Sequence, residues 1–395
     1  MNISFDNTEN AFAYKTDKEL KQSKFLFNTM DYPLFVPIGT RLTPFIMKTG
    51  LPVDGIIRNT IFKQFVGGES LEETANVVEM LAQYKVQVIL DYAVEGKQGE
   101  ENFENAANQF IKVVEYAATQ DNIPFISIKI TGLARFGLLQ TLNEAPRIRS
   151  GIHDHEAEMQ EWERVKMRMH RICAVAAEKN VGVLIDAEET WIQDPVDRLC
   201  IELMEKYNKQ KAIVYNTIQL YRHDRLRFLR LSHRIAKEQG FILGMKLVRG
   251  AYMEKERARA IQNGYESPIQ PDKESTDRDF DAATDYCISN VTDISVIIAS
   301  HNEISNLYGV ELLAKYQLPY NHPHVHFSQL FGMSDNITFN LAKAGCNVSK
   351  YLPFGPIRDV IPYLMRRAQE NSSLNGQTGR ELLLIRKELK RRKTA

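Results

Sequence analysis

The stretch MKLVRGAYMEKERARA, residues 245–260, joins the end of a buried strand to the start of a charged helix. The run FILGMKLV at 241–248 is apolar apart from Lys246. Arg249 and Gly250 then turn the chain, and the charged residues that follow are typical of a helix. Such strand-to-helix junctions carry the chemistry of many α/β enzymes. A lysine inside a buried strand also requires a partner, so Lys246 is a candidate functional residue.

Strand-like and helix-like segments alternate along the chain from about residue 86. Short runs rich in Val and Ile between amphipathic segments indicate βα units around a parallel sheet. A GxGxxG motif is absent from the sequence, which disfavours a doubly wound nucleotide-binding sheet. We therefore predict an α/β fold, a (βα)8 TIM barrel. Its predicted strands are 86–92, 125–130, 181–186, 212–219, 242–248, 294–300, 324–327 and 347–352.

The two ends of the chain differ from this repeating pattern. Residues 1–85 are predicted to form a mostly helical N-terminal arm, with Ser70 as the N-cap of a helix. The catalytic barrel is assigned to 86–379, and 380–395 to a basic C-terminal helix. Leucines accompany the basic residues of this helix, so it could lie on anionic lipid or dock on the barrel with a solvated basic face.

The composition restricts the class of partner. The chain has 395 residues, and its 50 basic and 50 acidic side chains cancel, which argues against a nucleic-acid surface and favours a small molecule. The four cysteines are widely spaced, so we predict neither disulfides nor a bound metal. The N-terminus lacks the features of a signal or transit peptide, and no apolar run could span a bilayer. We expect a cytoplasmic location, with peripheral contact at the inner face of the membrane as a further expectation.

Polar residues mark the ends of all the predicted strands. In a parallel barrel the carboxyl ends of the strands meet at one face, where catalytic groups are found. Any one of these residues could instead be a helix cap or part of an ion pair, and a pair between Lys129 and Asp186 would account for both. Because polar residues recur at the end of every predicted strand, we favour a functional site at this face of the barrel. The residues are Asp91, Glu95, Lys129, Asp186, Glu188, Glu189, Gln219, Tyr221, Lys246, Arg249, Ser300, His301, Asn302, Gln329 and Tyr351.

Two other functional classes remain open on these residues. Asp186, Glu188 and Glu189 could serve a metal-dependent TIM-barrel lyase or hydrolase. A binding module without catalysis is a third possibility, disfavoured by the number of polar strand ends. The excess of cationic and aromatic side chains instead suits an anionic substrate and a flat, phosphate-bearing cofactor.

The pair Arg366-Arg367 allows two interpretations. On a helix that begins near Pro356 and runs down the outside of the barrel, the pair would lie about 15 Å from the helix start. Both arginines would then be solvated, with Arg366 bonded to Glu370. On a helix laid over the barrel mouth, the pair could instead clamp a carboxylate.

Several motifs, in this order, resemble those of the proline dehydrogenase family, flavoenzymes that oxidise L-proline. The form KLVRGAYM is more similar to the eukaryotic branch than to the bacterial bifunctional members, which usually carry Arg-Leu-Val-Lys at 246–249. The chain length implies a monofunctional enzyme. The motifs are LDYAVEGK (90–97), ISIKITGL (126–133), LIDAEET (184–190), TIQLYRHD (217–224), KLVRGAYM (246–253), SHN (300–302), QLFGMSDN (329–336) and YLPFGPIRDVIPYLMRRAQENSS (351–373).

The resemblance implies a distorted barrel whose last helix lies over its mouth. It also implies that FAD accepts a hydride from L-proline, that Δ1-pyrroline-5-carboxylate is formed, and that a quinone takes the electrons, as the first step of proline catabolism. Tyr351, where hydroxyproline-oxidising relatives have serine, implies a preference for unsubstituted proline. By position, the implied substrate contacts are Lys129, Asp186, Leu247, Tyr252, Tyr351, Arg366 and Arg367. Those implied to act in catalysis are Lys129, Asp186, Tyr351, Arg366 and Arg367. The implied FAD contacts are Gln219, Lys246, Arg249, Gly250, Ser300, His301, Asn302 and Gln329.

Overall fold

The computed structural model describes residues 3–30, 54–93, 98–144, 156–372 and 377–394. Eight parallel strands form a closed barrel in chain order, which confirms the predicted (βα)8 fold. Residues 31–53 of the predicted N-terminal arm, and Glu95 among the polar strand ends, lie outside the described residues. The strands are β1 (Gln87–Tyr92), β2 (Phe125–Ile128), β3 (Gly182–Ile185), β4 (Val214–Gln219), β5 (Leu243–Val248), β6 (Ile294–Ala299), β7 (Val325–Leu330) and β8 (Val348–Phe354).

The last two strands extend further than the sequence predicts. β7 continues past Phe327 through two polar residues, and β8 continues through Pro353, which pairs with Asp91 on β1. The predicted end of β7 lies where the apolar residues stop. The predicted end of β8 lies before Pro353, because proline cannot donate a backbone hydrogen bond and usually indicates a turn. The carbonyl of Pro353 nevertheless accepts a bond from the backbone N–H of Gly67 at 2.8 Å, so the strand stays bonded there.

The helices follow the predicted alternation with the strands. The predicted N-cap of the 71–83 helix is confirmed, because the Ser70 hydroxyl accepts a bond from the backbone N–H of Glu73. A π-helical turn covers Arg58–Phe62, and a 3-10 turn covers Ile130–Gly132. The α-helices before β2 are α1 (Thr8–Ala11), α2 (Asp17–Met30), α3 (Asp54–Ile57), α4 (Lys63–Phe65), α5 (Leu71–Gln83) and α6 (Glu100–Ala117). Those after it are α7 (Phe136–Glu144), α8 (Glu156–Lys179), α9 (Thr190–Tyr207), α10 (Arg225–Gln239), α11 (Met253–Asn263), α12 (Lys273–Ser289), α13 (Glu303–Lys315), α14 (Asp335–Lys343), α15 (Ile357–Ser372) and α16 (Gln377–Thr394).

The chain divides into two compact units. The first comprises Met1–Glu95 and Gln329–Ala395, and the second Gly96–Ser328. In the first unit, one apolar cluster joins the N-terminal helices to α15 and α16, with Leu20, Phe27, Leu364 and Leu384 among its buried members. The helix that carries Arg366 and Arg367 therefore shares a core with both ends of the chain. The predicted boundaries at 85 and 379 stay a prediction.

In the second unit, side chains from non-adjacent strands meet inside the barrel at its amino end. The ring of Phe125 on β2 packs against the rings of Tyr215 on β4 and His326 on β7, with centroids 5.5 Å and 5.1 Å away. The Tyr215 hydroxyl and the Ser295 hydroxyl are 2.9 Å apart. Burial lowers the pKa of His326 to about 3 and raises that of Tyr215 to about 12, so both are neutral near pH 7. These contacts show that Phe125, Tyr215 and His326 face the barrel interior. Strand alternation then identifies the other inward residues of β2, β4 and β7.

The four cysteines are buried and free. Burial raises the pKa of Cys173 to about 12, and raises the pKa of the other three thiols as well. Within the described ranges, no helix is long and apolar enough to cross a bilayer.

Candidate active site

The centre of the candidate site in the second unit is Asp186, which directly follows β3. Its carboxylate accepts a bond from the ammonium of Lys246 on β5 and, at 2.8 Å, from the hydroxyl of Ser127 on β2. Lys129, two residues further along than Ser127, places its Nζ 3.9 Å from the other carboxylate oxygen. The partner that a lysine in a buried strand requires is therefore Asp186.

The group formed by Lys246, Asp186 and Lys129 is largely shielded from solvent. The side chains of Lys246, Asp186 and Lys129 are only 6%, 13% and 14% exposed. Two lysines that share one carboxylate in such surroundings interact strongly with it, because water screens their charges poorly.

A second cationic centre forms around Arg249, immediately after β5. Its guanidinium donates to Asp277 at 2.8 Å, to the Ser300 hydroxyl at 2.8 Å and to the Ser305 hydroxyl at 3.0 Å. It also lies over the ring of Phe280, 4.4 Å from the centroid. Burial opposes ionisation of Asp277, but bonds from Lys273 and Arg249 outweigh it and lower the pKa of this carboxyl. Arg249 is thus held rigidly in place.

The turn after Arg249 requires glycine. Gly250 has φ +137°, and a Cβ at this position would lie 2.6 Å from ring atoms of Tyr221. A residue with a Cβ does not fit so close to the Tyr221 ring. Tyr252 follows as the half-buried residue that precedes α11. Leu247 is fully buried and, by strand alternation, faces away from the interior side that Lys246 occupies. Its predicted substrate contact therefore stays a prediction.

The segment 300–302 after β6 is organised around helix capping. The side chain of Asn302 accepts a bond from the backbone N–H of Ser305 at 3.1 Å, so it is the N-cap of α13. The Ser300 hydroxyl accepts from the backbone N–H of Asn302 at 3.1 Å and lies beside Arg249. His301 is half-buried in the same segment. The structure brings Arg249 and Ser300 together and gives Asn302 a structural role.

The carboxylates that the lyase or hydrolase alternative would need do not converge. Glu188 accepts bonds from the Thr131 hydroxyl at 2.8 and 2.9 Å, and Glu189 forms an ion pair with Lys255. Asp186 is occupied by lysines. Among the residues that the structure describes, no group of His, Cys, Asp and Glu could hold a metal ion.

Gln219 and Gln329 differ in their placement. Gln219 shares the interior face of β4 with Tyr215, and its amide donates to the carbonyl of Glu188 at 2.8 Å. Gln329 lies on the opposite face of β7 from the inward His326, and its carbonyl oxygen accepts from the Thr338 hydroxyl on α14 at 2.8 Å. The flavin contact predicted for Gln329 has no support from this geometry and stays a prediction.

In the first unit, Tyr351 is 9% exposed, and its carbonyl accepts a bond from the backbone N–H of Phe331 at 2.9 Å. Arg366 is half-buried, whereas Arg367 is 6% exposed and lies over the ring of Tyr363, 5.1 Å from its centroid. The interpretation in which both arginines lie on a solvated face is therefore wrong for Arg367. The side chain of Glu370, the suggested partner of Arg366, lies outside the described residues.

Sequence reasoning missed several residues that shape the second unit's site. Ser127, Thr131 and Thr217 lie on or just after the interior strands, and Asp277 and Phe280 lie on α12. Strand alternation could have found Ser127, two residues before Lys129, and Thr217, two before Gln219. Nothing in the local sequence connects Asp277 with Arg249.

Thr217 also bears on whether a cofactor fits. Its hydroxyl is buried and, among the described residues, has no hydrogen-bond partner. Thr217 pairs in register with Lys246 and faces the interior between Tyr215 and Gln219. A buried hydroxyl normally finds a partner, so this position suits the polar edge of a bound group.

The family model for proline dehydrogenase matches residues 74–380. The chain belongs to the proline dehydrogenase family. Members of this family are flavin-dependent oxidoreductases, and this chain is accordingly an oxidoreductase that acts on proline in proline catabolism. The lyase or hydrolase alternative is not supported.

Two relatives illustrate the range of the family. The chain is 31% identical over 385 residues to proline dehydrogenase 1, mitochondrial, of Dictyostelium discoideum, covering 87% of this chain and 67% of that protein. It is 31% identical over 422 residues to hydroxyproline dehydrogenase of Xenopus laevis, covering 96% of this chain and 88% of that protein. The similarity to eukaryotic proline dehydrogenases agrees with the predicted branch.

Among solved structures, proline utilization A of Bdellovibrio bacteriovorus, inactivated by N-propargylglycine, matches with a TM-score of 0.72 at 22% identity. The match covers 91% of this chain but only 38% of that larger protein. At this identity the likeness supports the barrel fold.

Proposed function

We propose that this chain oxidises L-proline to Δ1-pyrroline-5-carboxylate with bound FAD and passes the electrons to a quinone. The observation that carries this proposal is the buried group of Lys129, Asp186 and Lys246, in which two lysines share one carboxylate near the carboxyl ends of the strands. In the reaction the amine loses a proton, C5 loses a hydride, and a C=N bond forms. The flavin, when bound, supplies the hydride acceptor.

The residues proposed to hold FAD are Gln219, Lys246, Arg249, Gly250, Ser300, His301, Asn302 and Gln329. The rigid Arg249 centre supports this assignment, because a fixed guanidinium suits a phosphate or a flavin edge. The close approach at Gly250 and the buried Thr217 hydroxyl also fit a flat group with polar edges. Lys246 contributes chiefly by fixing Asp186.

The residues proposed to bind the substrate act at different parts of proline. Arg366 and Arg367 bind the carboxylate, for which the low exposure of Arg367 provides a desolvated charge. Tyr351, Leu247 and Tyr252 are proposed to contact the ring. Lys129 and Asp186 are proposed to orient the reacting end, since positioning of the bound substrate accounts for much of such a rate enhancement.

Spectroscopy tests the proposed reaction. The purified protein is expected to be yellow, with absorption near about 450 nm from bound flavin. Under anaerobic conditions, L-proline should bleach this band and a soluble quinone should restore it, whereas D-proline serves as the control. A colourless protein that binds no added FAD, or a yellow one that proline leaves oxidised, would overturn the proposal.

Tyr351 is proposed to set the preference for L-proline over trans-4-hydroxy-L-proline. Tyr351 is buried, and a tyrosine ring packed on the pyrrolidine would fill the space that a 4-hydroxyl needs. Tyr351→Ser is expected to weaken proline turnover and narrow the ratio of kcat/KM for the two substrates. Tyr351→Phe, which keeps the ring, should preserve the ratio. If the ratio in the serine variant equals that of the wild type, Tyr351 has only a structural role.

Contact with a membrane surface, which a quinone acceptor requires, is proposed for the C-terminal helix α16. Leu382, Leu384 and Ile385 are buried in the first unit's core and cannot meet lipid in this arrangement. Leu383 is 56% exposed on the same helix, which carries exposed basic residues at 386, 387 and 390. Any lipid contact of α16 therefore rests on Leu383 and these basic side chains.

A further inference from the structure

Glu381, in the second turn of α16, is a buried acid that the proposed reaction does not use. It is 5% exposed and lies one residue beyond the segment matched by the family model. Its carboxylate accepts a bond from the backbone N–H of Ser334 at 2.5 Å. This contact joins the C-terminal helix to the turn that follows β7.

The turn that Glu381 contacts has an unfavourable backbone. Ser334 has φ +51° and ψ 42°, a left-handed conformation that residues other than glycine adopt only when their surroundings impose it. Ser334 is also the residue before α14, but its own side chain makes no capping bond. The carboxylate of Glu381 therefore serves the backbone N–H of a strained junction.

The same turn is bonded to two successive residues of β8. Lys350, 1% exposed, donates to the carbonyl of Met333 at 2.5 Å and forms an ion pair with Asp335 at 2.9 Å. At the next residue, the carbonyl of Tyr351 accepts from the backbone N–H of Phe331 at 2.9 Å. The turn 331–335 thus lies between Glu381 on one side and the strand segment that ends in Tyr351 on the other.

A second buried acid on α16 takes part in the contact between this helix and the N-terminal segment. Glu388 is fully buried and pairs within the helix with Arg391 and Arg392. Arg392 in turn donates to the carbonyl of Phe12 at 2.8 Å, which joins α16 to the N-terminal segment. Glu388 therefore serves the docking of α16 on the N-terminal segment, whereas Glu381 accepts its bond from the turn.

We propose that Glu381 is a positioning residue for Tyr351. By accepting a bond from the Ser334 N–H it holds the turn 331–335, which in turn holds β8 through the Lys350 side chain and the Tyr351 carbonyl. This inference rests on the proposed role of Tyr351 in substrate contact. The C-terminal helix thereby takes part in substrate recognition without touching the substrate.

An acceptor, and not a negative charge, is what the turn needs. Burial, followed by the nearby charge of Asp335, raises the pKa of Glu381 to about 7. Glutamine at this position offers the same acceptor atom without a charge. Glu381→Gln should therefore retain the function of Glu381, and Glu381→Ala should remove it.

Hydrogen exchange provides a test that is independent of activity. In Glu381→Ala, the amides of peptides that span 330–336 should exchange faster than in the wild type, while Glu381→Gln keeps the wild-type rate. Glu388→Ala, the matched control, should speed exchange around Arg391 and Arg392 at the far end of α16 and leave 330–336 unchanged. Equal acceleration of 330–336 in both alanine variants would overturn the proposal. Glu381→Asp, whose carboxylate is withdrawn by one methylene, answers the same question if the alanine variant does not fold.

Kinetics then test the link to Tyr351. Glu381→Ala is expected to lower kcat/KM for proline about tenfold and to narrow the preference for proline over hydroxyproline, with recovery in Glu381→Gln. Glu388→Ala should keep the wild-type preference. An unchanged preference in Glu381→Ala would overturn the positioning role even if the turn is loosened. Failure of the proposed function is distinct, because the wild type would then not oxidise proline.

Discussion

Arg367→Met is expected to lower kcat/KM for proline by about 100-fold or more, equivalent to ~2.7 kcal/mol of transition-state binding. Arg367 is 6% exposed, so a carboxylate that binds it loses most of its water. A charge-assisted bond in such a place is much stronger than one at the surface. Methionine keeps much of the length and the apolar contact with Tyr363 while removing the charge.

The matched control for this prediction is Arg358→Met. Arg358 lies in the first turn of the same helix and is exposed, so its loss should leave kcat/KM nearly unchanged. The flavin content of Arg367→Met should equal that of the wild type. Wild-type kinetics in both Arg366→Met and Arg367→Met would remove the pair from the substrate site.

Asp186→Asn should have the second large effect, on both stability and turnover. Asparagine keeps the shape and an acceptor for Ser127, but it leaves Lys129 and Lys246 without their shared counter-charge. Breaking a buried ion pair by removing one partner costs about 3 kcal/mol or more. We expect a lower melting temperature and a fall in kcat/KM on the order of 100-fold, because both lysines lose their orientation.

An exposed pair provides the control for Asp186. Glu238 and Arg234 on α10 are 67% and 69% exposed and lie 3.9 Å apart, so Glu238→Gln should change the melting temperature very little. Equal melting temperatures for the two variants would show that Asp186 is not the counter-charge of a desolvated lysine pair. A stable Asp186→Asn protein with full activity would likewise contradict the assignment of this residue to the site.

The local pattern of the sequence determined the barrel because each strand and helix has its own periodicity. The strand around Lys246 and the helix over 225–239 could be predicted from short windows, since apolar spacing and capping residues act over a few positions. The need of Lys246 for a partner also followed from the sequence. Which partner it has did not, because Lys246 and Asp186 are 60 residues apart and meet only when β3, β4 and β5 are side by side.

The sequence by itself therefore determined the fold class, the strand that carries Lys246, and the family resemblance of its motifs. Only the tertiary structure decided that Arg367 is buried, that Gln329 faces α14, and that Glu381 reaches the turn at Ser334. The physical reason is that burial and side-chain direction depend on how distant segments pack. Leu383 and Leu384 are adjacent in the sequence and chemically identical, yet one is exposed and the other lies in a core built from both ends of the chain.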